Sequence, residues 1–112
     1  MNVIVISGRL GRDPEAKVGP QGRLWCSVSV AEGGDDPNWF DVRAFGKPAE
    51  ALREYGRKGR LVGVVGRMVQ DQYETRNGDK RTAWRLLASR VEFLDSRGNG
   101  SGEAEEDLGA PD

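Results

Sequence analysis

The chain of 112 residues contains no histidine and a single cysteine, Cys26. Those two shortages remove nearly every nucleophile-and-base pair and every zinc cluster from consideration. Cys26 has no partner for an internal disulfide and sits in an alternating apolar pattern, so it reads as a buried, reduced thiol. No apolar run approaches the roughly eighteen residues that a membrane helix needs, and the N-terminus lacks a basic-then-apolar secretory pattern. A soluble cytoplasmic protein is expected. Asp41, Asp71, Glu74 and Asp79 fall among basic residues on predicted strands and form no recognisable Mg²⁺ ligand set. The expectation is therefore no catalytic residue, no metal and no cofactor.

Prolines number only five, whereas glycines number 16, a balance that favours many turns over wholesale disorder. The net charge of −1 conceals an asymmetry. All 17 Lys and Arg lie at or before Arg97, against 13 acidic residues in that span, while the last fifteen residues hold five acids and no base. A basic body thus carries a detachable acidic tail. The domain is expected to span residues 1–96, followed by a flexible Gly-rich linker and disordered acidic tail over 97–112.

The stretch Asn38 to Gly46 reads as a strand with two unlike faces, because successive strand side chains point to opposite sides. Phe40, Val42 and Ala44 are all apolar and belong to the core. Trp39, Asp41, Arg43 and Phe45 share the other face. Two aromatics around a guanidinium pack an interior poorly but suit stacking of flat bases beside a phosphate-binding cation.

The rest of the chain supplies a frame for that face. Asn2 to Gly8 is a β-branched run whose continuous apolar character suggests burial on both sides, including contact with another subunit. Arg12–Glu15 and Val18–Gly22 read as turns. In Leu24–Ala31, Leu24, Cys26, Val28 and Val30 form the apolar side, opposite Trp25, Ser27, Ser29 and Ala31. Trp25 admits three readings: a stacking platform, a subunit contact, or a ring lying over a neighbouring strand. The loop Glu32–Pro37 is short and acidic.

Lys47–Tyr55 changes period to a short helix, with proline in the first turn and Gly56 and Gly59 to stop it. Ala51, Leu52 and Tyr55 are spaced to cap an apolar opening. Leu61–Met68 is a strand whose interior Gly63 and Gly66 mark a bend or a close backbone approach. It continues to Arg76, and Asn77-Gly78 signals a hairpin returning through Lys80–Leu94. Two strands this long on one turn should form an arm extending beyond the body, decorated by Tyr73, Arg76, Lys80, Arg81 and Arg85. Strand, strand, strand, helix, strand, strand fits an all-β, five-stranded oligonucleotide-binding (OB) barrel with one short helix. A β-sandwich is the alternative.

Several of these segments, in this order, resemble the bacterial single-stranded DNA-binding (SSB) family over about residues 2–95. They are Val3–Glu15, Trp39–Glu50, Tyr55–Met68 and Tyr73–Leu94. The resemblance implies sequence-tolerant binding of single-stranded DNA in replication, recombination or repair. It further implies a homo-oligomer, usually a tetramer, located in the bacterial cytoplasm with the nucleoid. The family's stacking aromatics carry over to Trp39, Phe45 and Tyr73. Arg9, Arg12, Arg43, Lys47, Arg67, Arg76, Lys80, Arg81 and Arg85 are the candidate phosphate contacts, since each engaged cation releases condensed counterion.

The chain departs from the family pattern in three places. The Glu32–Pro37 loop is short and has lost an aromatic that is common near it. The arm strand reads Gln70-Asp71-Gln72 where the family tends to be basic. The tail ends Asp107-Leu108-Gly109-Ala110-Pro111-Asp112, without the closing phenylalanine through which the family docks replication and repair partners, so that partnership is the weakest implication. A second reading is an OB accessory protein of the primosome or recombination type that works mainly through protein contacts.

Overall fold

The computed structural model describes residues 1–95 and the backbone of 104–105. The strands are β1 (Ile4–Leu10), β2 (Glu15–Val18), β3 (Leu24–Glu32), β4 (Asn38–Phe45), β5 (Leu61–Glu74), β6 (Lys80–Phe93) and the two-residue β7 (Ala104–Glu105). One helix, α1 (Lys47–Tyr55), lies between β4 and β5. The sheet order is β1-β5-β6-β4-β3-β2, and a further β1–β3 pairing, Arg9 with Ala31 and Leu10 with Val30, closes it. Five strands therefore make a barrel, with β4 and β6 its one parallel pair. This is the OB arrangement expected above.

Strand alternation builds the core. Ile6, Leu10, Cys26, Val28, Val30, Val42, Ala44, Val62, Val64, Leu86, Ala88, Val91 and Phe93 all point inward and are buried. Burying one such Val or Leu is worth about 1.5–3 kcal/mol, which holds every strand in a single register. Helix α1 closes one end of the barrel with Pro48, Ala49, Ala51 and Leu52. Tyr55 is only partly covered, with its ring edge-on to Phe93 at 6.2 Å between centroids. Gly46, at φ 62°, makes the sharp change from β4 to α1.

In the single chain β1 is buried on one side, while Val5, and Val3 just before the strand, are about two-thirds exposed, so the contact expected there is one with another subunit and not within the chain. One expectation is corrected. Between the two turns lies a real strand, β2, paired with β3 from Glu15–Ser27 to Val18–Leu24. Its four residues are all exposed, so no apolar alternation announced it. Phe40, read as core, is half-buried and packs against the core cluster as expected.

The two strand glycines differ. A β-carbon on Gly66 would collide with the Leu87 carbonyl, and the β5–β6 register shifts between Val65 and Gly66. Gly63 meets only the Leu94 side chain, at 3.5 Å. The bend thus belongs to Gly66. Beyond it, β5 and β6 pair with each other out to Glu74–Lys80, whereas β4 holds β6 only over Leu86–Ala88 and β1 holds β5 only as far as Gly66. The predicted arm is that unsupported stretch. Apart from 104–105, whose backbone pairs with Arg90 and Val91 of β6, the predicted linker and tail lie outside the described residues.

Candidate nucleic-acid interface

The outward face of β3, β4, β5 and β6 can be read row by row, because cross-strand partners share a face. Ser27, Arg43, Leu87 and Arg67 form one row, and Trp25 pairs with Phe45 beside it. On the other side, Ala31 links Arg9 to Trp39. The same parity carries the face outward along the arm through Val69–Arg85 and Asp71–Ala83 to Tyr73–Arg81.

Trp39 is 61% exposed and lies over Gly11, where a β-carbon would stand 2.5 Å from a ring carbon. Tyr73 is 52% exposed near the arm's tip. Phe45 is half-buried and stacks on Trp25, with centroids 6.4 Å apart and planes inclined by 29°. The Trp25 ring thus lies on the candidate face against the neighbouring strand, the third of the readings the sequence left open.

Cations surround this ring pair. The Arg43 guanidinium lies 5.2 Å from the Trp25 centroid and the Lys17 ammonium 5.6 Å from it, while Arg23 covers Phe45 at 5.3 Å. Each such contact is worth about 0.5–1 kcal/mol at an exposed site. Sequence reasoning missed Lys17 because it missed β2. It passed over Arg23, although odd-numbered parity with Trp25 was the available signal. It also missed Trp84, an exposed ring on the opposite face of the arm, across from Gln70.

The remaining cations are distributed unevenly. Arg12 is held by Glu15 at 2.6 Å and reaches the Ser27 hydroxyl at 3.4 Å, next to Arg43. Arg9 donates to the Gly59 carbonyl at 3.0 Å and lies 3.9 Å from Asp95. Lys47 is exposed at the start of α1, and Arg76 and Arg81 are exposed around the arm's tip. Lys80, paired with Glu74, alternates to the face of Trp84 and away from Tyr73.

Arg85 is the exception among them. Its Nε donates to Asp41 at 3.0 Å and its other branch grips Asp71, tying β4, β5 and β6 together at the base of the arm. Burial works to lower its pKa, but the hydrogen bonds it donates to Asp41 and Asp71 outweigh that and raise it. Asp71, which would repel phosphate if left bare, is thereby neutralised. Among the described residues no helix is long and apolar enough to cross a membrane.

A closed five-stranded barrel carrying exposed rings among cations, with an arm rising beside them, places the molecule among OB-fold proteins. The profile of the single-strand binding protein family matches residues 1–94. The chain belongs to that family. It is 38% identical to a single-stranded DNA-binding protein of Fusobacterium nucleatum, over 87% of this chain and 69% of the relative. It is 33% identical to one from Thermosynechococcus vestitus, over 87% and 85%. A relative from Neisseria meningitidis is 35% identical over 93% of this chain, which spans 66% of that protein's length, just under two thirds. Among solved structures, the "Plasmodium falciparum SSB complex with ssDNA" matches with a TM-score of 0.76 at 25% identity, covering 85% of this chain and 96% of that one.

Proposed function

We propose that this protein binds single-stranded DNA without sequence preference and without chemistry, holding unpaired strands open and protected during replication, recombination or repair. The observation that carries this reading is the single outward face on which Trp39, Phe45 and Arg43 sit beside the arm bearing Tyr73. Stacking is worth roughly 1–3 kcal/mol per base and tolerates any base, because every base offers a ring face. Trp39, Phe45 and Tyr73 are the proposed platforms.

Arg43 and Arg67 lie on the platform face, and Arg9, Arg12, Lys47, Arg76 and Arg81 border it or tip the arm; these are the proposed phosphate contacts. Lys80 is assigned to a strand leaving around the arm's edge. Arg85 is assigned to orient the arm, since two carboxylates already claim its charge.

The exposed Val5 of β1, with Val3 just before it, supports assembly of several copies, with a tetramer as the proposed state. The acidic residues of 97–112 are assigned to contacts with replication or repair proteins. Binding to nucleoid DNA in the cytoplasm follows from the proposed ligand.

The test is fluorescence titration with oligothymidine. Tryptophan emission should be quenched to a stoichiometric endpoint, and Trp39→Ala and Phe45→Ala should each weaken binding by about 1–3 kcal/mol in a folded protein. Affinity should fall with salt, with a log-log slope near −0.7 per neutralised phosphate. Weak, salt-insensitive binding would favour the accessory-protein reading instead.

A further inference from the structure

We infer that Trp25, Lys17 and Arg43 build an additional nucleotide position at the β2–β3 end of the sheet, with the base on Trp25 beside the Phe45 platform. The inference rests on the single-stranded DNA reading and extends its path beyond the platforms named there. A groove of about 420 Å³ lies here, lined by the Gly19–Gln21 turn, Arg23, Trp25, Arg43 and Phe45.

Its walls have an unusual order. Arg43, Trp25, Phe45 and Arg23 follow one another as cation, ring, ring, cation, and Lys17 flanks Trp25 as well. Two of these cations, Lys17 and Arg43, stand against one ring, Trp25, which is electrostatically unfavourable unless an anion joins them. Among the described residues neither Lys17 nor Arg43 has a carboxylate within ion-pairing distance, and the buried Nε of Arg43 makes no hydrogen bond. Rings together with unneutralised cations select a ligand that is both flat and anionic. A nucleotide of a DNA strand is such a ligand.

The energetics set the order of events. A cation over an exposed ring contributes about 0.5–1 kcal/mol, whereas a stacked base contributes roughly 1–3. A base stacked on Trp25 therefore outweighs a cation's contact with that ring, and Lys17 or Arg43 turns to the phosphate beside it. Lys17 is exposed on β2, next to the Gly19–Arg23 turn, and can make that exchange without moving the barrel. The turn closes on itself through Gly22 N–H to the Gly19 carbonyl and Gly19 N–H to the Arg23 carbonyl, both 2.9 Å.

The chain has three tryptophans, so the double variant Trp39→Phe, Trp84→Phe leaves Trp25 as the sole indole reporter. Oligothymidine binding is followed in parallel by anisotropy of a labelled oligonucleotide. Quenching of Trp25 emission in step with anisotropy is expected. Binding with unchanged Trp25 emission overturns this position and leaves the broader reading standing. Absence of oligonucleotide binding by the unmodified protein overturns both.

As a second measurement, Trp25→Ala should weaken oligothymidine binding about 5- to 150-fold, with recovery in Trp25→Phe. Lys17→Ala should make the salt slope shallower by about 0.7. A Trp25→Ala protein that changes molar mass by light scattering while keeping its affinity would assign the ring to contacts between copies and overturn the proposal. Where Trp25→Ala fails to fold, the emission experiment decides.

Discussion

The Trp39 indole lies against Gly11, with a ring carbon 2.5 Å from the point a β-carbon at that residue would occupy. Glycine at the end of β1 thus sets the tilt of a ring borne by β4. Gly11→Ala should push the indole off its seat while leaving the core untouched. The expected result is a several-fold loss of oligothymidine affinity, within the roughly 1–3 kcal/mol that a stacked base supplies. Melting should change by no more than about 0.5 kcal/mol. Titration and thermal unfolding of the same sample check both halves.

Asp41 and Asp71 share one guanidinium, that of Arg85. Replacing Asp71 by Asn leaves Arg85 with a single carboxylate and removes a negative charge from the arm's outer face. Binding should strengthen by up to about 1 kcal/mol in low salt, the scale of a partly exposed charge contact. The gain should fade as salt rises, since screening shortens the reach of such charges. Arg85→Gln should act in the opposite direction, because it bares both carboxylates. Parallel titrations at two salt concentrations test the pair.

Gly66 faces the Leu87 backbone at the register shift, whereas Gly63 faces only the end of the Leu94 side chain. A backbone carbonyl cannot step aside as a leucine methyl can. Gly66→Ala should destabilise the barrel by about 1–3 kcal/mol or more, as overpacking does. Gly63→Ala should cost less. Denaturant unfolding of the two variants gives the comparison directly.

Cys26 is fully buried on the inner side of β3, and burial, opposed in part by Arg12, pushes its pKa up to about 11. The thiolate is the reactive form, so the native thiol should resist alkylation at pH 8 and react promptly in denaturant. The linkage has a definite sign. An unfolded chain ionises this thiol near its ordinary value of 9.0, while the folded chain keeps its proton. Stability should therefore fall between about pH 9 and 11 and be insensitive to Cys26 below that window. Cys26→Ser or Cys26→Ala, compared by melting across that range, should lose this component.

The strongest sequence signals were those in which each side chain's fate depends on its own strand. Alternation along Leu24–Ala31 and Asn38–Phe45 foretold which residues are buried, and the period change at Lys47 foretold the helix. Asn77-Gly78 foretold the arm. Alternation is silent where a strand is exposed throughout, which is why β2 and its Lys17 escaped notice. It also cannot rank cations: Arg85 and Arg81 look alike in the sequence, yet one is held by two acids and the other is exposed.

The order of apolar and polar residues by itself determined the barrel, its helical plug, the projecting hairpin and the face on which Trp39, Arg43 and Phe45 stand, because burial energy acts locally through strand parity. Only the folded chain decided which distant residues share that face. Trp25 meets Phe45 across a strand pair, Trp39 rests on Gly11 from β1, and Arg85 finds Asp41 from another strand. Such meetings depend on register between segments far apart in the chain, and register is a property of the closed sheet as a whole.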